Sequence, residues 1–80
     1  MNADRRREVH ELDATLRVGK NGIESVADEL RDQLDDRGLV KVKFLRAARG
    51  GTTTEDLAED LAELVDADVL EVRGHTAVFE

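Results

Sequence analysis

Thr15-Leu16-Arg17-Val18-Gly19-Lys20-Asn21-Gly22-Ile23 reads as the end of one element, a tight loop and the start of another. Thr15 to Val18 is short and β-prone, and Leu16 and Val18 alternate with Thr15 and Arg17, the period of a half-buried strand. Ile23 opens a run with apolar side chains at 23, 26, 27, 30 and 34, the period of a helix. Between the two, Gly19 and Gly22 let the chain turn with φ > 0 and let another backbone come close. A helix N-terminus directly after such a loop presents free N–H groups and the positive end of the macrodipole. Lys20 adds a full positive charge, and the combination suits phosphate. A GxxG tetrapeptide is a short motif, and a plain turn also explains its glycines.

Outward from this stretch, the helix is expected over Ile23 to Asp36, with Gly38 as its C′ residue. Leu39-Val40-Lys41-Val42-Lys43-Phe44 is a strand, with Val40, Val42 and Phe44 on one face and Lys41 and Lys43 on the other. The following loop, Arg46 to Gly51, is basic, and its paired glycines predict flexibility. Thr52 and Glu55 have capping-box spacing at the head of a helix that carries Leu57, Ala58, Leu61, Leu64 and Val65 and ends near Asp66. Val69 to Arg73 and Thr76 to Glu80 form a hairpin about Gly74-His75, which pairs Arg73 with Thr76, Val72 with Ala77 and Leu70 with Phe79. Upstream, Asn2 can cap a short helix whose apolar side chains at helical spacing are Val9 and Leu12. Arg5, Arg6 and Arg7 in its first turns oppose the dipole, so they are either a solvated tail or a reach for an anion.

The order is α-β-α-β-α-β-β. The β-α-β steps imply parallel strands, and the one-sided apolar stripes imply a two-layer α/β domain with a four-stranded mixed sheet. Residues 1–80 form one domain, with an N-terminal helix over 1–13 and an α/β core over 14–80. The core face of the sheet takes Leu16, Val18, Val40, Val42, Phe44, Leu70, Val72, Ala77 and Phe79. Arg17, Lys41, Lys43 and Arg73 collect on the opposite face, although lysines also stand on solvated strands to block edge pairing.

With 80 residues, a single domain is expected. There is no cysteine, hence neither a disulfide framework nor a thiolate metal site. No apolar run is long enough for a membrane span, the charged N-terminus is not a secretory signal, and a cytoplasmic monomer is expected. The net charge of −7 argues at first against nucleic acid. Its distribution weakens that argument, because residues 1–53 hold 11 basic and 10 acidic side chains and residues 54–80 hold 1 and 9. Arginine outnumbers lysine nine to three and aspartate is abundant, which points to a salt-adapted proteome.

Three segments together resemble the CRM domain family, the YhbY-like RNA-binding proteins of ribosome assembly and intron splicing. They are Leu16-Arg17-Val18-Gly19-Lys20-Asn21-Gly22, Leu39-Val40-Lys41-Val42-Lys43 and Gly74-His75-Thr76-Ala77-Val78-Phe79. They fall in order over nearly the whole chain. The resemblance implies a fold like the C-terminal domain of bacterial initiation factor three. It implies RNA binding through the GxxG loop and adjacent basic surface, often on precursors of large-subunit ribosomal RNA, with transfer or intron RNA as the alternative partners. With the composition, it implies a salt-adapted archaeal source. The chain departs from the family at His75, where a basic or small residue is usual, and at Phe79-Glu80, where the family often ends Tyr-Arg.

The candidate RNA-binding residues are Arg17, Gly19, Lys20, Asn21, Gly22, Lys41, Lys43, Arg46, Arg49 and Arg73. Lysines and arginines of this kind hold phosphates without reading sequence. Both phenylalanines are assigned to the core, so base stacking is not expected, and shape and phosphate recognition of a structured RNA is. The alternative is a protein-interaction adaptor working through acidic helical faces. An enzyme is not expected. His10 and His75 belong to no metal-ligand pattern, Ser25 is the sole serine, and there is no P-loop or nucleophile elbow; no cofactor is implied.

Overall fold

The structure, a computed structural model, describes residues 3–80 apart from the side chain of Arg5. The cap expected of Asn2 and any role of the Arg5 side chain lie outside the described residues. The elements are α1 (Ala3–Glu11), β1 (Ala14–Val18), a 3-10 turn (Ile23–Val26), α2 (Ala27–Arg37), β2 (Val40–Phe44), α3 (Thr54–Val65), β3 (Val69–Arg73) and β4 (Thr76–Phe79). The sheet order is β1-β2-β4-β3. β1 pairs parallel with β2, and β4 pairs antiparallel with β2 and β3. β1, β2 and β3 therefore run the same way, as the β-α-β steps imply, and β4 is inserted between its hairpin partner and β2. The expected α/β class with a four-stranded mixed sheet is the class observed.

Leu16, Val18, Val40, Val42, Phe44, Ala77 and Phe79 from the sheet share one core with Val26, Ala27 and Leu30 and with Ala58, Leu61, Ala62 and Val65 of α3. The two-layer arrangement holds for α2 and α3. A partial layer is added by α1 on the opposite face, where Val9 is buried with Leu39 and Val78, and Leu12 and Leu70 pack beside them. One buried valine on a short helix, with Leu12 just past its end, is enough here, because the sheet supplies the rest of the contact.

Three details differ from the sequence reading. The second helix starts at Ala27, and a 3-10 turn precedes it. Its cause is Ser25, whose N–H and Oγ both donate to the Gly22 carbonyl, at 3.3 and 2.7 Å. A local side-chain bond of this kind competes with the α-helical pattern and tightens the turn. Second, the cap of α3 is Thr53, not Thr52: its Oγ1 accepts from the Asp56 N–H at 3.1 Å. Third, a register shift between Val69 and Glu71 puts Val69, not Leu70, opposite Phe79. The bulged residue Leu70 turns to Val9 and Leu39, while Val69 packs on the main core. The loop after β2 carries successive bonds, Ala48 N–H to Leu45 O, Arg49 N–H to Arg46 O and Thr52 N–H to Arg49 O.

Candidate nucleic-acid interface

The C-terminal ends of β1 and β2 and the β3–β4 turn share one edge of the sheet. The Leu45 N–H donates to Val18 O at 2.8 Å, and the Phe44 N–H donates to His75 O at 2.7 Å. The Gly19–Gly22 loop, the basic loop after β2 and the Gly74-His75 turn therefore stand side by side. The Gly22 N–H donates to Gly19 O at 3.1 Å and closes a four-residue turn with Lys20 and Asn21 exposed at its centre. A turn closed in this way makes no use of the two central amides.

Gly22 sits at φ 81°, ψ 179°, a region essentially restricted to glycine. Gly19 has no such constraint, and a Cβ there would meet only Leu45 Cδ1 at an ordinary 3.8 Å. The element after the loop is one 3-10 turn, so the helix-dipole part of the sequence argument does not hold. Anion binding at this loop would rest on Lys20 and the turn amides.

Below the loop lies a row of side chains across all four strands. Arg17 is opposite Lys43, Lys43 opposite Thr76, and Thr76 opposite Arg73. Adjacent strands are about 4.8 Å apart, so three cations lie within roughly 15 Å. Arg17, Lys43 and Arg73 are all exposed. Edge protection accounts for Arg17 on β1 and Arg73 on β3, which are edge strands. It does not account for Lys43, because β2 is an interior strand.

The other candidates divide. Lys20 and Arg46 are exposed beside the row. Lys41 is half-buried, and its Nζ donates to Leu12 O at 3.3 Å, tying β2 to the end of α1. The Arg49 Nε–H donates to Phe44 O at 3.0 Å and pins the loop to the end of β2. Arg73 has a partner that sequence reasoning missed: its Nη1 lies 3.2 Å from His10 Nδ1, while His10 Nε2 faces Glu71 Oε1 at 3.5 Å. The His10 ring thus sits between Arg73 and Glu71 and links β3 to α1. Nothing in the sequence around His10 signals this, because the contact depends on where α1 docks. The acidic ridges of α2 and α3, including Asp28, Asp32, Glu55, Glu59 and Glu63, are exposed on the helical side, away from the row.

The model of the CRS1 / YhbY (CRM) domain family matches residues 2–79. The chain is 43% identical over 70 residues to a "probable RNA-binding protein" of Methanocaldococcus jannaschii, a match over 88% of this chain and 52% of the relative. The chain thus spans about half the length of that curated relative. Its fold is similar to the solution structure of a Staphylococcus aureus protein described as "a putative RNA binding protein". There the TM-score is 0.73 and the identity 31%, over 92% of this chain and 76% of the other.

Proposed function

The chain belongs to the CRS1 / YhbY (CRM) domain family, and from that premise we propose that it binds structured RNA along the edge formed by the Gly19–Gly22 turn and the Arg17–Lys43–Thr76–Arg73 row. Lys20 and the turn amides take one phosphate. Arg17, Lys43 and Arg73 follow the backbone across the sheet, with Arg46 beside them. Phosphate contacts of this kind fix register without reading bases. The RNA is a precursor of large-subunit ribosomal RNA, recognised by shape, since Phe44 and Phe79 are fully buried and offer no stacking surface. The acidic helical faces serve solubility in a salt-adapted archaeal cytoplasm.

The observation that most supports this reading is Lys43. It is an exposed cation on an interior strand, with Arg17 opposite on one side and Arg73 beyond Thr76 on the other, in a chain of net charge −7. Neither core packing nor edge protection accounts for it. The test is a binding titration against a structured ribosomal RNA fragment at matched salt, with melting curves alongside. Lys20→Asp and Lys43→Glu should each weaken affinity about tenfold or more, because each removes a phosphate contact and adds a repulsive charge. Glu59→Gln on the helical side should leave affinity unchanged. If Lys20→Asp binds like the parent, the loop is only a turn; if Glu59→Gln alone alters binding, the RNA lies on the other side.

A further inference from the structure

Leu45 is one of two large apolar side chains left exposed among the described residues, at 36%. It belongs to neither apolar cluster. Its N–H bond to Val18 O carries the β1–β2 ladder one residue beyond Phe44. Side chains alternate along a strand, so Leu45 stands on the face of Lys43 rather than with the buried Phe44. The residue next to it on the β1 side is Gly19, and the Leu45 Cδ1 lies 3.8 Å from where a Gly19 Cβ would be. The leucine therefore leans over bare backbone at the foot of the GxxG turn. Its own backbone is held at both ends, by Val18 O and by the Ala48 N–H, at 2.8 and 2.9 Å. The result is an exposed apolar side chain on a held backbone, next to the turn that carries Lys20 and in the same short segment as Lys43 and Arg46.

We propose that Leu45 is the apolar contact for one nucleoside of the bound RNA, its base or ribose face lying on the leucine while the attached phosphate is held by Lys20 and the turn. This rests on the RNA-binding reading above and goes beyond it by assigning a non-ionic contact. Exposed cations near an apolar side chain match the chemistry of a nucleotide, which is anionic at the phosphate and apolar on the faces of its base. A cation would bind phosphate at Leu45 better, and a buried leucine would serve the core better. An exposed leucine here does neither. In a surface without exposed aromatics it gives a base a place beside the turn to leave water.

The test separates ionic from non-ionic loss by salt dependence. Binding of a structured ribosomal RNA fragment is titrated at several potassium chloride concentrations for the parent, Leu45→Ala, Leu45→Tyr, Lys20→Asp and Leu64→Ala. Leu45→Ala should weaken binding about fivefold at every salt concentration, with the slope of log affinity against log salt unchanged. Leu45→Tyr should restore or exceed parental affinity, because a ring stacks on a base better than a leucine packs against it. Lys20→Asp should weaken binding and flatten the slope. Leu64→Ala, at the other exposed leucine, should change nothing. If Lys20→Asp loses affinity while Leu45→Ala and Leu45→Tyr bind like the parent, this inference is wrong and the RNA-binding reading stands. If neither the parent nor any variant binds RNA, that reading itself fails.

Discussion

Arg17 and Lys43 stand directly opposite each other on neighbouring parallel strands, both exposed on the same face. Like charges in that position destabilise a sheet, by an amount of the order of other cross-strand pairs, about 0.2–1 kcal/mol. Stability alone would favour a neutral β-branched residue at 43. Lys43→Thr should therefore raise the unfolding free energy by about 0.2–1 kcal/mol at low salt. The same change should reduce RNA affinity by about tenfold, since it removes one phosphate contact. Urea unfolding and an RNA titration on one preparation measure both. A variant that is less stable and binds equally well would mean that Lys43 is a structural residue.

The two glycines of the turn should separate cleanly. Gly22→Ala forces an alanine into φ 81°, ψ 179°, while the exposed Glu24 carboxylate, 2.9 Å from the new Cβ, can swing aside, so the backbone strain should cost about 1–3 kcal/mol. Gly19→Ala meets no strain and should cost less than about 0.5 kcal/mol. The methyl group added by Gly19→Ala would, however, stand against Leu45 Cδ1, on the surface proposed for RNA. Equal losses of stability at both positions would contradict the turn geometry.

Leu30 and Leu61 are fully buried, and Leu64 is 40% exposed on the same helix as Leu61. Truncation to Ala should cost about 2–5 kcal/mol at 30 and 61. At 64 the loss should stay near or below about 1 kcal/mol, since much of the side chain is already in water. Val9→Ala should also destabilise measurably, because Val9 is the main apolar anchor of α1 on the second face. Denaturant midpoints of the four variants rank these sites; an unchanged midpoint for Val9→Ala would mean α1 is not docked in solution.

Much of this architecture is legible in the residues because single periods dominate. Val40, Val42 and Phe44 alternate with two lysines, and only a strand with one wet face fits. Leu57, Ala58, Leu61 and Val65 repeat at helical spacing behind a threonine cap. What escapes the pattern is what depends on a neighbour. The bulge at Leu70 is invisible, because Val69-Leu70-Glu71-Val72 alternates acceptably in either register until α1 offers Leu70 a second core. The 3-10 turn depends on one serine bonding back to Gly22. At the site, strand alternation places Arg17, Lys43 and Arg73 together, but not the division of labour that gives Lys41 and Arg49 to backbone carbonyls. Leu45 escapes because it falls between a strand whose apolar alternation stops at Phe44 and a loop conspicuous only for its arginines. Following the alternation one residue further finds it.

Salt should act on stability and on binding with opposite signs. Along α3, Glu55, Glu59 and Glu63 form one i,i+4 ladder, and Asp56 and Asp60 form another pair. Each like-charge pair of this kind costs about 0.2–0.5 kcal/mol in a poorly screened solution. Screening extends over about 10 Å at 0.1 M salt but only about 3 Å at 1 M, shorter than the roughly 5–6 Å between such neighbours. Relief of about 1 kcal/mol in a domain of this size raises the melting temperature by about 4–8 °C. The melting curve should therefore move up by several degrees from about 0.1 to 1 M potassium chloride. Glu59→Gln, which removes the middle charge of the ladder, should recover part of that gain at the low-salt end and almost none at the high-salt end. RNA affinity should fall over the same range, as counterion release requires. The part of the affinity that survives at high salt is then the non-ionic part, and Leu45→Ala should lower it by the same roughly fivefold factor as at low salt. A melting temperature that is flat or falls with salt would remove the salt-adaptation reading. Affinity that vanishes equally for the parent and Leu45→Ala would leave the leucine without a role.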